Sequence, residues 1–253
     1  MEPIGPKLAE GRDAEIYEHG PGRVIRLARD GRSLAAEADV MRFAGERGYP
    51  VPGVYEAGEG YLVMDRLTGP TMLASALRHP YRIGTYGHML AQLHIQLHEI
   101  EAPGWLTTEA DAKGDSLLHR DLHPLNVLMT KEGPVVIDWA NAARGDPAYD
   151  VADTWVLFAT ADAPGNSLQR SLAAVAQRIF LRNFLADLDA NAARAVIPPA
   201  VEHRLVDRNM TEAEKERMRR LSAWATSGQP APRTWWKHLG TAASTTDPTN
   251  LPN

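Results

Sequence analysis

Two polar clusters framed by apolar residues constrain this chain more than any other feature. The first is His119-Arg120-Asp121-Leu122-His123-Pro124-Leu125-Asn126, and the second is Asp138-Trp139, reached through Val135-Val136-Ile137. Asn126 follows Asp121 by five positions and Asp138 follows Asn126 by twelve. The first two can therefore point together from one tight loop, and the third can close the site from the next strand. Oxygen donors arranged in this way suit a hard divalent cation that bridges phosphates, keeps part of its water shell and needs few protein ligands. In a kinase-type reading of the two loops, Asp121 would accept or orient the proton of an attacking hydroxyl. The flanking Leu117, Leu118, Val127, Leu128, Val135 and Val136 place these polar groups at strand ends, an order that a hairpin with scattered acids does not require.

The pattern His-x-Asp-Leu-His-Pro-x-Asn followed by Ile-Asp-Trp resembles the aminoglycoside phosphotransferase and choline kinase group, small-molecule kinases with the protein-kinase fold. The resemblance covers about residues 8–190. Two positions depart from it: Leu125 stands where that family usually has Gly, and Arg120 stands where many members have Gly, as in the His-Arg-Asp of protein kinases. The resemblance implies an α+β, bilobal, protein-kinase-like fold. Residues 1–68 would form a small β-rich lobe that covers the nucleotide, and residues 69–253 a larger, mainly helical lobe for catalysis and acceptor binding. It also implies transfer of the γ-phosphoryl group of ATP or GTP to a small-molecule hydroxyl, with Asp121 catalytic and Asn126 and Asp138 holding Mg²⁺.

At 253 residues and 44% hydrophobic content, the chain can bury a substantial core and fits one bilobal unit better than two independent domains. It contains no cysteine, which excludes disulfides, cysteine nucleophiles and thiolate metal sites. The start, Met1-Glu2-Pro3-Ile4-Gly5-Pro6-Lys7, lacks the basic and apolar runs of a signal peptide, and no run of about eighteen apolar residues suggests a membrane span. The expectation is a cytoplasmic protein. With a net charge of −5 and a pI near 6.0, nothing argues for nucleic acid or an anionic membrane as partner.

In the first third, Ala14–Glu18 and Val24–Ala28 are short β-prone runs around the turn His19-Gly20-Pro21-Gly22, a hairpin pattern. Gly11 lies just before it, where a phosphate-covering loop belongs, although that loop has one Gly instead of three. Alternation puts Val24 and Arg26 on one strand face. By resemblance Arg26 takes the place of the phosphate-binding lysine; by local sequence alone it reads equally as a solvated strand residue like Arg23 or Arg29. Residues Ser33–Gly48 read as a helix whose Glu37 would orient Arg26. Tyr61–Leu67 reads as a strand running into the connection between lobes. The resemblance then places Ile16 and Val24 above the adenine, Leu128 below it, Met64 at the back, Ile137 beside the metal loop, and backbone groups of Asp65 and Leu67 at the adenine edge.

Later segments say less about chemistry. Tyr86–Ile100 has helical 3/4 spacing; its His94 and His98, at i and i+4, lack a third ligand and read as core-edge residues. His119 and His123 read as loop-fixing residues. Asp150 is expected to brace the catalytic loop, to cap the helix that follows, or to do both. Asp146 lies only eight positions after Asp138, which is short for the regulated segment of a protein kinase. Ser171–Leu188 and a helix opened by the capping box Thr211-Glu214 follow, with Pro198-Pro199 breaking the chain between them. Asp187, Asp189 and Glu202 are candidate carboxylates for a cationic acceptor, and Trp224, Trp235 and Trp236 candidate stacking surfaces; a solvated face and a core are the plainer readings. Two other function classes stay open, a Ser/Thr protein kinase and a nucleotide-binding pseudokinase.

Overall fold

The structure, a computed structural model, describes residues 4–11, 13–108, 113–161, 165–206 and 210–229. Trp235, Trp236 and the polar C-terminal stretch Thr241–Asn253 lie outside these.

The N-terminal part is an antiparallel sheet of five strands, β1 (Lys7–Glu10), β2 (Ala14–Glu18), β3 (Arg23–Ala28), β4 (Val54–Gly58) and β5 (Tyr61–Asp65), in the order β1-β2-β3-β5-β4. The β2–β3 hairpin turns at Gly20 and Gly22, both at φ 70°, a conformation only glycine adopts at little cost. Register decides which side chains share a face. Ile16 and Leu62 both pair with Arg26, and Val24 pairs with Met64, so Ile16, Val24, Arg26 and Met64 emerge on the same side. The helix α1 (Ala35–Glu46) lies alongside and buries Ala38, Val40, Met41 and Ala44, together with the polar Glu37. The chain leaves the sheet past Gly69, where a Cβ would stand 2.1 Å from the Met129 carbonyl oxygen. No other residue fits that crossing.

The rest is mainly helical. Thr71 caps α2 (Met72–Arg78) by accepting the Ala74 N–H at 3.1 Å, and α3 (Ile83–His98) follows. That helix starts almost one turn before the expected Tyr86. Two short antiparallel pairs then carry the polar clusters: β6 (Ser116–Leu118) with β9 (Ala143–Gly145), and β7 (Val127–Met129) with β8 (Pro134–Val136). The helices α4 (Pro147–Thr160), α5 (Ser167–Ala186), α6 (Ala190–Ala195), α7 (Ile197–Leu205) and α8 (Glu212–Thr226) complete the described chain. Among the described residues, no helix is long and apolar enough to cross a membrane.

Pro198-Pro199 does not break the chain. Both prolines sit in the first turn of α7, where a missing N–H leaves no hydrogen bond unmade. The expected capping box does open α8, with Thr211 and Glu214 bonded reciprocally. The helix α5 lies close against α3 because Gly87 has no side chain; a Cβ there would meet the Phe180 carbonyl at 2.5 Å. Leu62, Leu90, Leu97, Leu117, Leu122, Trp139 and Phe184 are all at most 1% exposed and belong to a core running from α1 through the catalytic loop to α7 and α8. Each such side chain contributes roughly 1.5–3 kcal/mol by leaving water. The loop that carries Asp121 is therefore rooted in the core through Leu122.

Candidate active site

The loop between β6 and β7 converges on the Asp121 carboxylate. Its Oδ2 accepts the Asn126 amide at 3.2 Å and lies 3.5 Å from His123 Nε2, and Oδ1 accepts Arg204 Nη2 at 3.2 Å. Asn126 also donates to the Asp121 carbonyl at 2.9 Å. Burial opposes ionisation of Asp121, but His123 and Arg204 override it and hold the carboxyl below its ordinary value.

Beneath the loop, the fully buried Asp150 accepts the N–H groups of His119 at 2.8 Å and Arg120 at 2.6 Å, and His98 Nε2 lies 3.1 Å away. Burial would push this carboxyl up; His98 and the loop donors outweigh it, leaving Asp150 well below the usual carboxylate range. Asp150 thus braces the loop. The N-cap of α4 is Asp146, whose carboxylate accepts the Ala148 N–H at 2.9 Å, which corrects the alternative expected for Asp150. His119, kept neutral by burial, receives the Asp121 N–H at Nδ1 and donates from Nε2 to the Ile137 carbonyl. It ties the first polar cluster to the second.

The two departures noted above separate here. Leu125 is 52% exposed and has no left-handed backbone, so a side chain costs nothing there. Arg120 is at φ 65°, a strain on the order of 1 kcal/mol for a non-glycine residue. The strain is offset by its amide bond to Asp150 and by its guanidinium, which lies 2.9 Å from Asp153 Oδ2 and 5.3 Å over the Tyr149 ring. Burial pushes the Asp153 carboxyl up to about 7 against the pull of Arg204, 3.5 Å away, and Arg120.

The side that carries Asp138 is more open. Asp138 stands at φ 68°, tolerable for Asp, with its carboxylate 47% exposed. Arg26 reaches across from β3, with Nη1 2.5 Å from Glu37 Oε1 and Nη2 3.5 Å from Asp138 Oδ1. Burial raises the Glu37 carboxyl, and Arg26 acts against it. The Ile137 N–H donates to the Asn126 carbonyl at 2.9 Å, so the loop carrying Asn126 and the strand end carrying Asp138 are bonded edge to edge. With its amide nitrogen on Asp121, Asn126 keeps its amide oxygen as the group that could ligate a cation. No group of three acidic, histidine or cysteine side chains among the described residues forms a metal cage. One amide oxygen and one carboxylate fit Mg²⁺ carried in on phosphates and water, which needs no cage.

For the nucleotide cover, Ile16, Val24 and Met64 share the Arg26 face. Leu128 and Ile137 are partly exposed; Leu128 pairs with Val135, and Ile137 bonds to Asn126, on the face opposite the buried Val127 and Val136. At the expected adenine edge, the Asp65 N–H donates to the Gly53 carbonyl, and the Leu67 N–H makes no backbone hydrogen bond among the described residues. The Asp65 carboxylate instead clamps the Gly53 N–H and the Tyr55 hydroxyl, each at 2.7 Å. Gly11 closes its turn by donating to the Ala14 carbonyl, and a Cβ there would meet only an ordinary contact.

The acceptor candidates are not brought together. Asp187 bonds His88 at 2.7 Å, Asp189 caps α6 and Glu202 is exposed on α7. Trp224 is 9% exposed against Trp155 and the Arg194 guanidinium, a core residue and no stacking platform. Asp153, His98 and Arg204 were missed. Asp153 follows Asp150 at i+3 on one helix face, a readable signal. Arg204 lies 83 positions from Asp121 and carried none.

Residues 104–188 match the model of the phosphotransferase enzyme family. Among solved structures, the aminoglycoside phosphotransferase APH(2'')-Ib bound to ADP aligns over 87% of this chain and 92% of its own at 14% identity and a TM-score of 0.56. A choline/ethanolamine kinase family protein from Mesorhizobium loti aligns over 93% and 92% at 15% identity and a TM-score of 0.55. The fold is that of the aminoglycoside phosphotransferases and choline kinases. A thermostable APH(4)-Ia mutant complexed with AMP-PNP and hygromycin B agrees, over 89% of this chain and 94% of its own, at 15% identity and a TM-score of 0.57. Curated proteins give no match in sequence. The chain thus carries a small-molecule kinase fold, with the Asp121, Asn126 and Asp138 motifs inside the stretch that matches the phosphotransferase family.

Proposed function

We propose that this protein transfers the γ-phosphoryl group of ATP, with GTP as the alternative donor, to a hydroxyl of a small molecule of the aminoglycoside, sugar or amino-alcohol type. The observation that carries this reading is the Arg26 bridge, which joins Glu37 of α1 to Asp138 beside the Asp121–Asn126 loop. It closes one oxygen-rich centre from two parts of the chain. Residues 1–68 act as the nucleotide-covering lobe and 69–253 as the catalytic and acceptor-binding lobe. Gly11, Ile16, Val24, Met64, the Asp65 carbonyl, the Leu67 N–H, Leu128 and Ile137 line the nucleotide, and Arg26, oriented by Glu37, neutralises its phosphates. Asn126 and Asp138 hold Mg²⁺, which when bound neutralises charge building on the phosphoryl oxygens. Asp121 orients the acceptor hydroxyl and takes its proton. With Arg204 and His123 on the carboxylate, its basicity is low, in keeping with a loose transition state that asks for positioning more than for a strong base.

Structural neighbours seen with ADP or AMP-PNP support the nucleotide part of the reading. A protein substrate finds little support: Arg120, which would receive an activation-loop phosphate, is 3% exposed against Asp153. Loss of catalysis, as in a pseudokinase, finds none in the intact Asp121, Asn126 and Asp138. A cytoplasmic enzyme acting without nucleic acid or membrane remains the working picture. ATP consumption should be screened over a panel of small hydroxyl compounds, with Asp121→Ala as control. Turnover with at least one compound that vanishes in the variant is expected; Asp121-dependent labelling of protein Ser or Thr alone would overturn the reading.

A further inference from the structure

We infer that Arg204 is a positioning residue for phosphoryl transfer, orienting the Asp121 carboxylate from the helical subdomain that follows the catalytic core. This rests on the phosphotransferase reading and goes beyond it. Arg204 sits near the end of α7, and its side chain is 12% exposed. Its Nη2 bonds Asp121 Oδ1 at 3.2 Å while its Nε faces Asp153 Oδ1 at 3.5 Å. Asp153 is fully buried on α4, and its other oxygen lies 2.9 Å from Arg120 Nε. Guanidinium and carboxyl groups therefore alternate along Arg120, Asp153, Arg204 and Asp121, a path that begins one residue before the catalytic aspartate, passes through two helices and returns to it.

Two features separate this from a brace that only packs α7. First, the guanidinium contacts the carboxylate proposed to meet the acceptor, and it takes the one oxygen that Asn126 and His123 leave. Asn126 alone cannot fix both oxygens of a carboxylate free to turn about its last torsion; a planar fork held on a second, buried acid can. Second, Asp153 is buried between the Arg120 and Arg204 guanidinium groups, so Arg204 is itself held in place before any ligand arrives. The acceptor hydroxyl then meets an oxygen whose direction is set by α7, and misplacement by about 1 Å costs on the order of 100-fold in rate.

The test uses the full chain, MgATP and radiolabelled phosphate release to water, so no acceptor need be known. Arg204→Met should lower kcat 10- to 100-fold while the MgATP dissociation constant, measured by calorimetry, changes less than about twofold. Arg204→Lys should recover part of kcat. A crystal structure of Arg204→Met should show the Asp121 carboxylate turned off Asn126. If Arg204→Met does not fold, Asp153→Asn, which frees the other end of the fork, should lower kcat at constant MgATP affinity. A kcat within about twofold of wild type in a folded Arg204→Met, or in Asp153→Asn where the first variant fails to fold, overturns the inference and leaves the phosphotransferase reading intact. A wild type with neither MgATP binding nor Asp121-dependent turnover overturns both.

Discussion

The two sides of the candidate site are built on different principles. Under the catalytic loop, Asp150 is fully buried, receives two backbone N–H groups at 2.8 and 2.6 Å and is faced by His98. A buried carboxylate that bonds backbone amides fixes the chain path itself, so this side keeps its shape without a ligand. On the cation side, Asp138 is half exposed in a left-handed conformation and meets Arg26 only at 3.5 Å. A site proposed to admit phosphates and a hydrated ion would not satisfy all its own charges beforehand. On the proposed reading, preorganisation is spent under the loop that would handle the acceptor proton, and adaptability is left where a ligand would supply the missing charge.

The contrast breaks if Asp138→Asn behaves like a brace mutation. It should instead leave the thermal midpoint unchanged, since Asn also tolerates φ near 68°. Turnover should fall by roughly 1,000-fold or more and Mg²⁺-dependent nucleotide binding should disappear from calorimetry, because the strongest local cation ligand is gone. Asp121→Ala sits between the two sides: turnover should drop about 100- to 10,000-fold with MgATP affinity nearly unchanged, as expected of a group that handles the acceptor and not the nucleotide. Loss of nucleotide affinity in that variant would merge the two sides into one.

Asp150→Asn sharpens the same contrast from below. The amide oxygen can receive one of the two loop N–H groups and its nitrogen faces the other, so chemical denaturation should show a loss of about 3 kcal/mol. An unchanged denaturation midpoint would mean that the loop is held by its apolar anchors alone. Arg26→Ala should weaken MgATP binding about 10-fold and lower turnover, with Arg26→Lys recovering part of both. If neither changes, Arg26 is a strand-surface cation paired with Glu37 and nothing more.

The smallest effect concerns acid stability on the braced side. His94 is completely buried, its Nδ1–H donates to the Leu90 carbonyl at 2.9 Å, and burial lowers its pKa from 6.5 to about 4. Between these values the unfolded chain binds a proton that the folded chain does not. The stability that neutral His94 preserves is therefore present above about 6.5 and lost as the pH falls toward 4. From pH 7 to 5 this amounts to about 2 kcal/mol. Urea titrations at both pH values should show the loss in the wild type and a shallower one in His94→Gln.

The polar clusters of the candidate site were legible because they are local in sequence. Asp121, Asn126 and Asp138 fall within eighteen positions, and short apolar runs rich in Val and Leu flank them as buried strands do. The hairpin of β2 and β3, the α1 helix and the α8 capping box were legible for the same reason, since turns, caps and periodicity are written in adjacent residues. Less was legible where a contact joins distant helices. Asp187, Asp189 and Trp224 looked like acceptor groups by type, but a partner ring, a helix N-terminus and the core had each already taken them.

The sequence by itself determined which oxygen donors gather at the centre and which strands and helices present them, because spacing along a chain of known rise fixes what can share a loop or a face. Only the tertiary structure decided that Asp150 braces the loop while Asp146 caps the helix, that Arg120 rests on Asp153, and that Arg204 reaches Asp121 across 83 positions. Those pairings depend on how α4 and α7 cross over the core, and crossing geometry comes from packed volumes, which no local pattern records.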